Sequence, residues 1–205
     1  MDRLVCFDLD NTLIDRDGAF RSWARWWTNR AGFGTDAADW LVAHDNGGYR
    51  PRAELFADFE QRFGAAISVD DYHRDHPTFT WADDAVLTGL AALRSAGWRL
   101  AVVTNGTVIQ QTGKLTQTGI ADVVDYCCIS EAVGVRKPDP RIFAVAAQGA
   151  GATLGGGWMV GDHPAYDTAG GQAAGLKTIQ VGSHHPEPPA DHHVPSILEA
   201  FPLIR

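Results

Sequence analysis

Two aspartates, Asp8 and Asp10, follow directly on the short apolar run Leu4-Val5-Cys6-Phe7. Four apolar residues with no alternation predict a parallel strand buried on both faces. Carboxylates at the end of such a strand reach the crevice where open α/β sheets bind ligands. Two carboxylates so close repel each other unless a shared proton or a cation relieves them. Magnesium is the natural relief, because it prefers hard oxygen ligands.

Three further groups fall at predicted strand ends. Thr104-Asn105-Gly106 offers a hydroxyl, an amide and a backbone opened by glycine, which together can cradle phosphate oxygens. Lys137, in Val135-Arg136-Lys137-Pro138-Asp139-Pro140, can neutralise a phosphate or a carboxylate nucleophile. Asp162, in Gly161-Asp162, can ligate a metal, and Asp167 can orient it from behind. Each group also has an ordinary reading: a surface acidic pair, a turn, a solvated lysine, a helix cap.

The elements that must position these residues alternate strand and helix. A helix is expected through Val86, Leu87, Leu90, Ala91 and Leu93, stopping at Gly97. Strands are expected at Trp98–Val103, Val123–Ile129, Trp158–Val160 and Lys177–Val181. Helices are expected before Gly119, from Asp139-Pro140 with Asp139 as its cap, and up to Gly175. Repeated βα units imply a doubly wound parallel sheet with right-handed crossovers. Residues 15–81 differ: Phe20, Trp23, Ala24 and Trp27, then Leu55, Phe56, Phe59 and Phe63, repeat at helical spacing, and no strand is evident between them. The expected organisation is a Rossmann-like core of residues 1–14 and 82–205 with a helical insertion at 15–81. The His- and Pro-rich residues 183–195, with His184, His185, His192 and His193, read as an irregular surface segment rather than a metal tract.

Taken in order, D-x-D-N-T, a T-N-G turn, K-P and G-D-x-x-x-x-D resemble the haloacid dehalogenase-like hydrolase superfamily over almost the whole chain, including a helical cap inserted after the first motif. The resemblance implies that Asp8 is a nucleophile toward phosphorus and that Asp10 is the acid and base. It implies that Thr104, with Asn105 and Gly106, holds the phosphoryl group while Lys137 offsets charge. Mg2+ would be held by Asp8, Asp10 and Asp162, supported by Asp167. Dehalogenases of the superfamily lack an acid at the position of Asp10, because a halide leaves without a proton; Asp10 therefore favours a phosphatase. A phosphomutase uses a similar acid and stays open as an alternative. A non-catalytic binding module would have lost one of these groups, and this chain keeps them all. His163 departs from the small polar residue often found after the metal-ligating aspartate and is expected to face outward. Arg50 and Arg52, past the Gly-rich loop of the insertion, are the candidates to meet an anionic substrate.

Bulk properties fit this picture. A net charge of −8 over 205 residues argues against nucleic acid as a partner and leaves room for a phosphorylated small molecule. No apolar run reaches a membrane span and no export signal is evident. Three cysteines, Cys6, Cys127 and Cys128, form no disulfide framework and read as buried packing residues, which suits the cytoplasm.

Overall fold

The computed structural model describes residues 3–182 and 189–205. The chain opens on β1 (Arg3–Phe7), then enters α1 (Arg16–Arg30), α2 (Thr35–His44), α3 (Arg52–Phe63) and α4 (Val69–Asp75). It continues through α5 (Asp84–Ser95), β2 (Trp98–Thr104), α6 (Val108–Gln117), α7 (Ile120–Val123), β3 (Tyr126–Ile129), α8 (Ser130–Val133), α9 (Arg141–Gly149) and β4 (Thr153–Gly161). A π-helical turn at Pro164–Ala169 runs into α10 (Gly170–Ala173), followed by β5 (Lys177–Val181), β6 (His192–Val194) and α11 (Ile197–Ala200). Two compact units result: residues 1–14 with 81–205, and residues 15–80.

The first unit is built on one parallel sheet of order β3-β2-β1-β4-β5-β6. Side chains alternate across a strand, so β1 feeds both faces. Val5 and Phe7 join a core with Val86, Leu90 and Leu93 of α5 and Ile197 of α11. Leu4 and Cys6 join the opposite core, against Ile142, Phe143 and Ala146 of α9. This two-sided burial explains the uninterrupted apolar run at 4–7. The second unit has its own core, with Trp23 and Phe20 of α1 packed on Leu41, Leu55, Phe56, Phe59 and Tyr72. Trp23 and Tyr72 meet edge to face with centroids 4.7 Å apart, a favoured aromatic geometry. Asp15 starts α1 by accepting the Gly18 N–H at 2.8 Å.

Several boundaries differ from the sequence expectation. The strand expected from Val123 begins only at Tyr126, because residues 120–123 form α7 and Asp125 is tied back to Leu100 by N–H···O contacts of 2.8 and 2.9 Å. The helix expected from Asp139 starts at Arg141, although the Asp139 carboxylate still accepts the Arg141 N–H at 3.0 Å. β4 extends back to Thr153 through three glycines. The segment read as irregular contains β6, whose His192–Val194 backbone pairs with β5; His184 and His185 lie outside the described residues. Cys6 and Cys128 are buried, while Cys127 is half-buried. Among the described residues no helix is long and apolar enough to cross a membrane.

Candidate active site

β1 lies at the middle of the sheet, with Phe7 in register with Val102 of β2 on one side and Val160 of β4 on the other. The chain winds outward from β1 to β2 and β3 in one direction and to β4, β5 and β6 in the other. That reversal leaves a crevice at the C-terminal ends of the strands, where α/β sheets collect ligands. Asp8 and Asp162 directly follow β1 and β4, and Thr104 ends β2, so these neighbouring strands bring them to one edge of the sheet.

Lys137 arrives from the loop between α8 and α9. Asn105 holds it there: its amide donates to the Lys137 carbonyl at 3.0 Å and accepts the Lys137 N–H at 2.9 Å. The Lys137–Pro138 peptide is cis. The Lys137 ammonium then sits 2.6 Å from Asp8 Oδ1 and 2.6 Å from Asp167 Oδ1, buried to 2% exposure. Burial pulls the lysine toward neutrality, but the carboxylates of Asp167 and Asp8 outweigh it and hold the ammonium above its usual range.

The carboxylates carry the opposite strain. Burial, with the charges of Asp167 and Asp10, pushes Asp8 up to about 7 even against Lys137. Burial, with the charges of Asp8 and Asp167, pushes Asp162 up to about 8. Ligand oxygens of Asp8, Asp162 and Asp167 lie within 4.8 Å of one another. Three clustered carboxylates with one ammonium between them keep a net negative charge, and their oxygens fit a hard divalent cation such as Mg2+. Asp167 is already engaged on both oxygens, by Lys137 on Oδ1 and by the His163 N–H on Oδ2 at 3.0 Å. Asp8 and Asp162 are therefore better placed to ligate, with Asp167 behind them.

Glycine makes room for this packing. A Cβ on Gly161 would lie 2.3 Å from Asp167 Cγ and 2.6 Å from its Cβ. The loop after β4 is fixed from β5, where buried Gln180 donates to the Asp162 carbonyl and accepts the Thr168 hydroxyl at 2.7 Å. His163 Nδ1 accepts the Tyr166 N–H at 3.2 Å, and its ring stacks on Tyr166 with centroids 4.0 Å apart, so it starts the π-helical turn.

In the first unit Asp8, Lys137, Asp162 and Asp167 form one cluster, and Asp10 and Thr104 share Gln111 in a second, with the charge of Asp10 acting on Asp8. Asn105 and Gly106 stand beside them in structural contacts: Asn105 on Lys137, and the Gly106 N–H on Ser130 Oγ at 3.0 Å. Arg50 and Arg52 belong to the helical unit and pair with acids there. Arg50 meets Asp58; Arg52 reaches Asp45 at 2.5 Å and lies over the rings of Phe20 and Tyr72. Arg16 forks onto the same Asp45, and both side chains are only 4% exposed.

The sequence reading passed over Gln111 and Lys114 of α6. Lys114 donates to both Asp10 oxygens at 2.8 Å, and Gln111 bridges Asp10 Oδ2 at 3.0 Å and Thr104 Oγ1 at 2.5 Å. Both are buried. The available signal was a polar pair three residues apart, hence on one helix face, just after a strand-end turn.

A family model described as haloacid dehalogenase-like hydrolase matches residues 3–175. The chain belongs to that family. It is an enzyme of the phosphatase kind, to judge by relatives that follow it over nearly its full length. The glyceraldehyde 3-phosphate phosphatase of Methanopyrus kandleri is 31% identical over 95% of this chain and 91% of its own length. The phosphoserine phosphatase of Thermus thermophilus is 36% identical over 55% of this chain, and the match spans about half of that relative, 47%. Among solved structures, the HAD-hydrolase YfnB of Bacillus subtilis, bound to magnesium, superposes with a TM-score of 0.78 at 20% identity, over 100% of this chain and 99% of that one. At that identity the likeness establishes the fold.

Proposed function

We propose that this haloacid dehalogenase-like enzyme is a magnesium-dependent hydrolase of small phosphate monoesters that works through a phosphorylated Asp8. The observation that carries the reading is the contact of Lys137 with both Asp8 and Asp167 at 2.6 Å, beside a metal-sized cluster of carboxylates. Phosphoryl transfer needs in-line positioning and charge neutralisation above all. An Asp8 oxygen attacks phosphorus while the ester P–O bond breaks. Asp10 gives its proton to the departing oxygen. Water then attacks the phosphorus of the acyl phosphate, Asp10 takes the water's proton, and the P–O bond to Asp8 breaks to release inorganic phosphate. Thr104 steadies the transferred group, and Lys137 limits the repulsion between Asp8 and an anionic ester. Mg2+ held by Asp8, Asp162 and the Asp10 carbonyl, with Asp167 behind them, would supply the remaining positive charge.

An ester oxygen needs a proton to leave and a halide does not, so the presence of Asp10 supports the phosphatase over the dehalogenase chemistry. The names of the relatives support small phosphorylated metabolites, a triose phosphate or phosphoserine among them, as the substrate class. Residues 15–80 are proposed as the cap that selects among such esters. Arg50 and Arg52 are its proposed anion contacts. The three free thiols fit a reducing compartment such as the cytoplasm.

The test is phosphate release from a panel of phosphorylated metabolites, with Mg2+ and with a chelator, for the native chain and Asp8→Asn. The proposal expects metal-dependent release by the native chain alone. Undiminished release by Asp8→Asn would refute it.

A further inference from the structure

The side chains on Asp10 form a device that the phosphatase reading above does not use. We infer that Lys114 and Gln111 are positioning residues that fix the Asp10 carboxyl for its two proton transfers, an inference that rests on the proposed role of Asp10. Lys114 takes both carboxylate oxygens at 2.8 Å, a grip that sets the plane of the group rather than one of its atoms. Gln111 takes Oδ2 at 3.0 Å and, with the same nitrogen, Thr104 Oγ1 at 2.5 Å. Asp10 is thereby referenced to the hydroxyl proposed to hold the phosphoryl group. Its side chain is 25% exposed, and Lys114 and Gln111 hold it from the buried side.

The surrounding backbone is built to admit this arrangement. Gly106 immediately precedes the turn into α6, and a Cβ there would lie 2.8 Å from Gln111 Cγ and 2.9 Å from Cδ. The glycine of the T-N-G turn is thus required for space around Gln111. Glu131 accepts the Val108 N–H at 2.7 Å and fixes the first turn of α6. Gln111 and Lys114 follow on one face of that helix.

A general acid matters in proportion to how badly the leaving group needs a proton. Loss of the device therefore has a signature that general damage lacks. The experiment measures kcat/KM, which reports the first phosphoryl transfer, for a simple alkyl phosphate and for dinitrophenyl phosphate, using the full chain with Mg2+. Lys114→Met is expected to lower kcat/KM for the alkyl ester about 100-fold and for the dinitrophenyl ester less than about threefold, given what a positioned acid contributes. Gln111→Leu keeps the test available if Lys114→Met fails to fold, and is expected to show the same bias at about 10-fold. Equal losses on the two esters, or no loss, would overturn the inference while leaving the phosphatase proposal standing. No hydrolysis of either ester by the native chain would overturn that proposal, and the inference with it.

Discussion

Gly161→Ala is a one-methyl change with a large expected effect. The new Cβ would fall 2.3 Å from Asp167 Cγ and Oδ2 and 2.6 Å from Asp167 Cβ, whereas ordinary contact begins at 3.4 Å. Rotating the Asp167 side chain cannot move its own Cβ, so the π-helical turn has to retreat by about 1 Å. That retreat breaks the 2.6 Å contact to Lys137. Overpacking costs about 1–3 kcal/mol and a lost charged hydrogen bond about 1.5–3 kcal/mol, so a destabilisation of about 3 kcal/mol is expected. For a chain of this length, that lowers the melting midpoint by about 6–12 °C. Lys137, released from one of its two anchors, misplaces its charge relative to Asp8, and a shift of this size costs about 100-fold in kcat. Differential scanning calorimetry and phosphate-release kinetics at saturating Mg2+ check both effects. A variant that melts with the native chain and turns over at the native rate would refute the reasoning that Gly161 exists to seat Asp167.

The helical unit offers an independent test: Asp45→Asn leaves the buried Arg16 and the nearly buried Arg52 without their shared carboxylate, and urea unfolding should show a loss of roughly 3–5 kcal/mol. The same ion group predicts an acid limit. Burial raises Asp45, but Arg16 and Arg52 more than offset it and hold the carboxyl below its usual value. A depressed folded-state pKa gives stability that is present above the unfolded value of about 3.9 and is lost as pH falls through the folded value. Circular dichroism of the native chain should therefore show acid destabilisation below about pH 4 that is smaller in Asp45→Asn. Asp10→Asn should still accept phosphate on the enzyme but release it at under about 1% of the native rate, measured by single-turnover kinetics.

The site was legible in the sequence to the extent that strand ends announce themselves. The apolar run at 4–7 is unbroken because β1 is buried on both faces, and that fixed where Asp8 emerges. Where burial is one-sided or backbone-driven, the signal fades. α4 buries only Tyr72 among its seven residues, so its apolar spacing is nearly silent. β4 carries Gly155, Gly156 and Gly157 in its first half, where the register with β1 shifts between the Thr153 and Trp158 pairs, so that stretch reads as a loop. β6 is held by backbone pairing, by the His193 ring on the Gly182 carbonyl at 2.7 Å and by the Asp191 carboxylate on the Thr178 N–H at 2.8 Å, none of which leaves an apolar pattern. Gln111 and Lys114 were missed for a related reason. Their partners Thr104 and Asp10 are 7 and 104 residues distant, and a polar helix face reads as solvated until the fold shows what it covers. Asn105 has a second role that its type did not announce: its amide holds the Lys137 backbone.

The central claim is that Asp8 carries the phosphoryl group. Its most direct test is an acid quench of the enzyme during turnover of a labelled phosphate ester with Mg2+, followed by peptide mass mapping. The account predicts one added phosphoryl group on the peptide containing Asp8, accumulating in Asp10→Asn and absent from Asp8→Asn. Turnover without a label on Asp8, or a label on another residue, would contradict it.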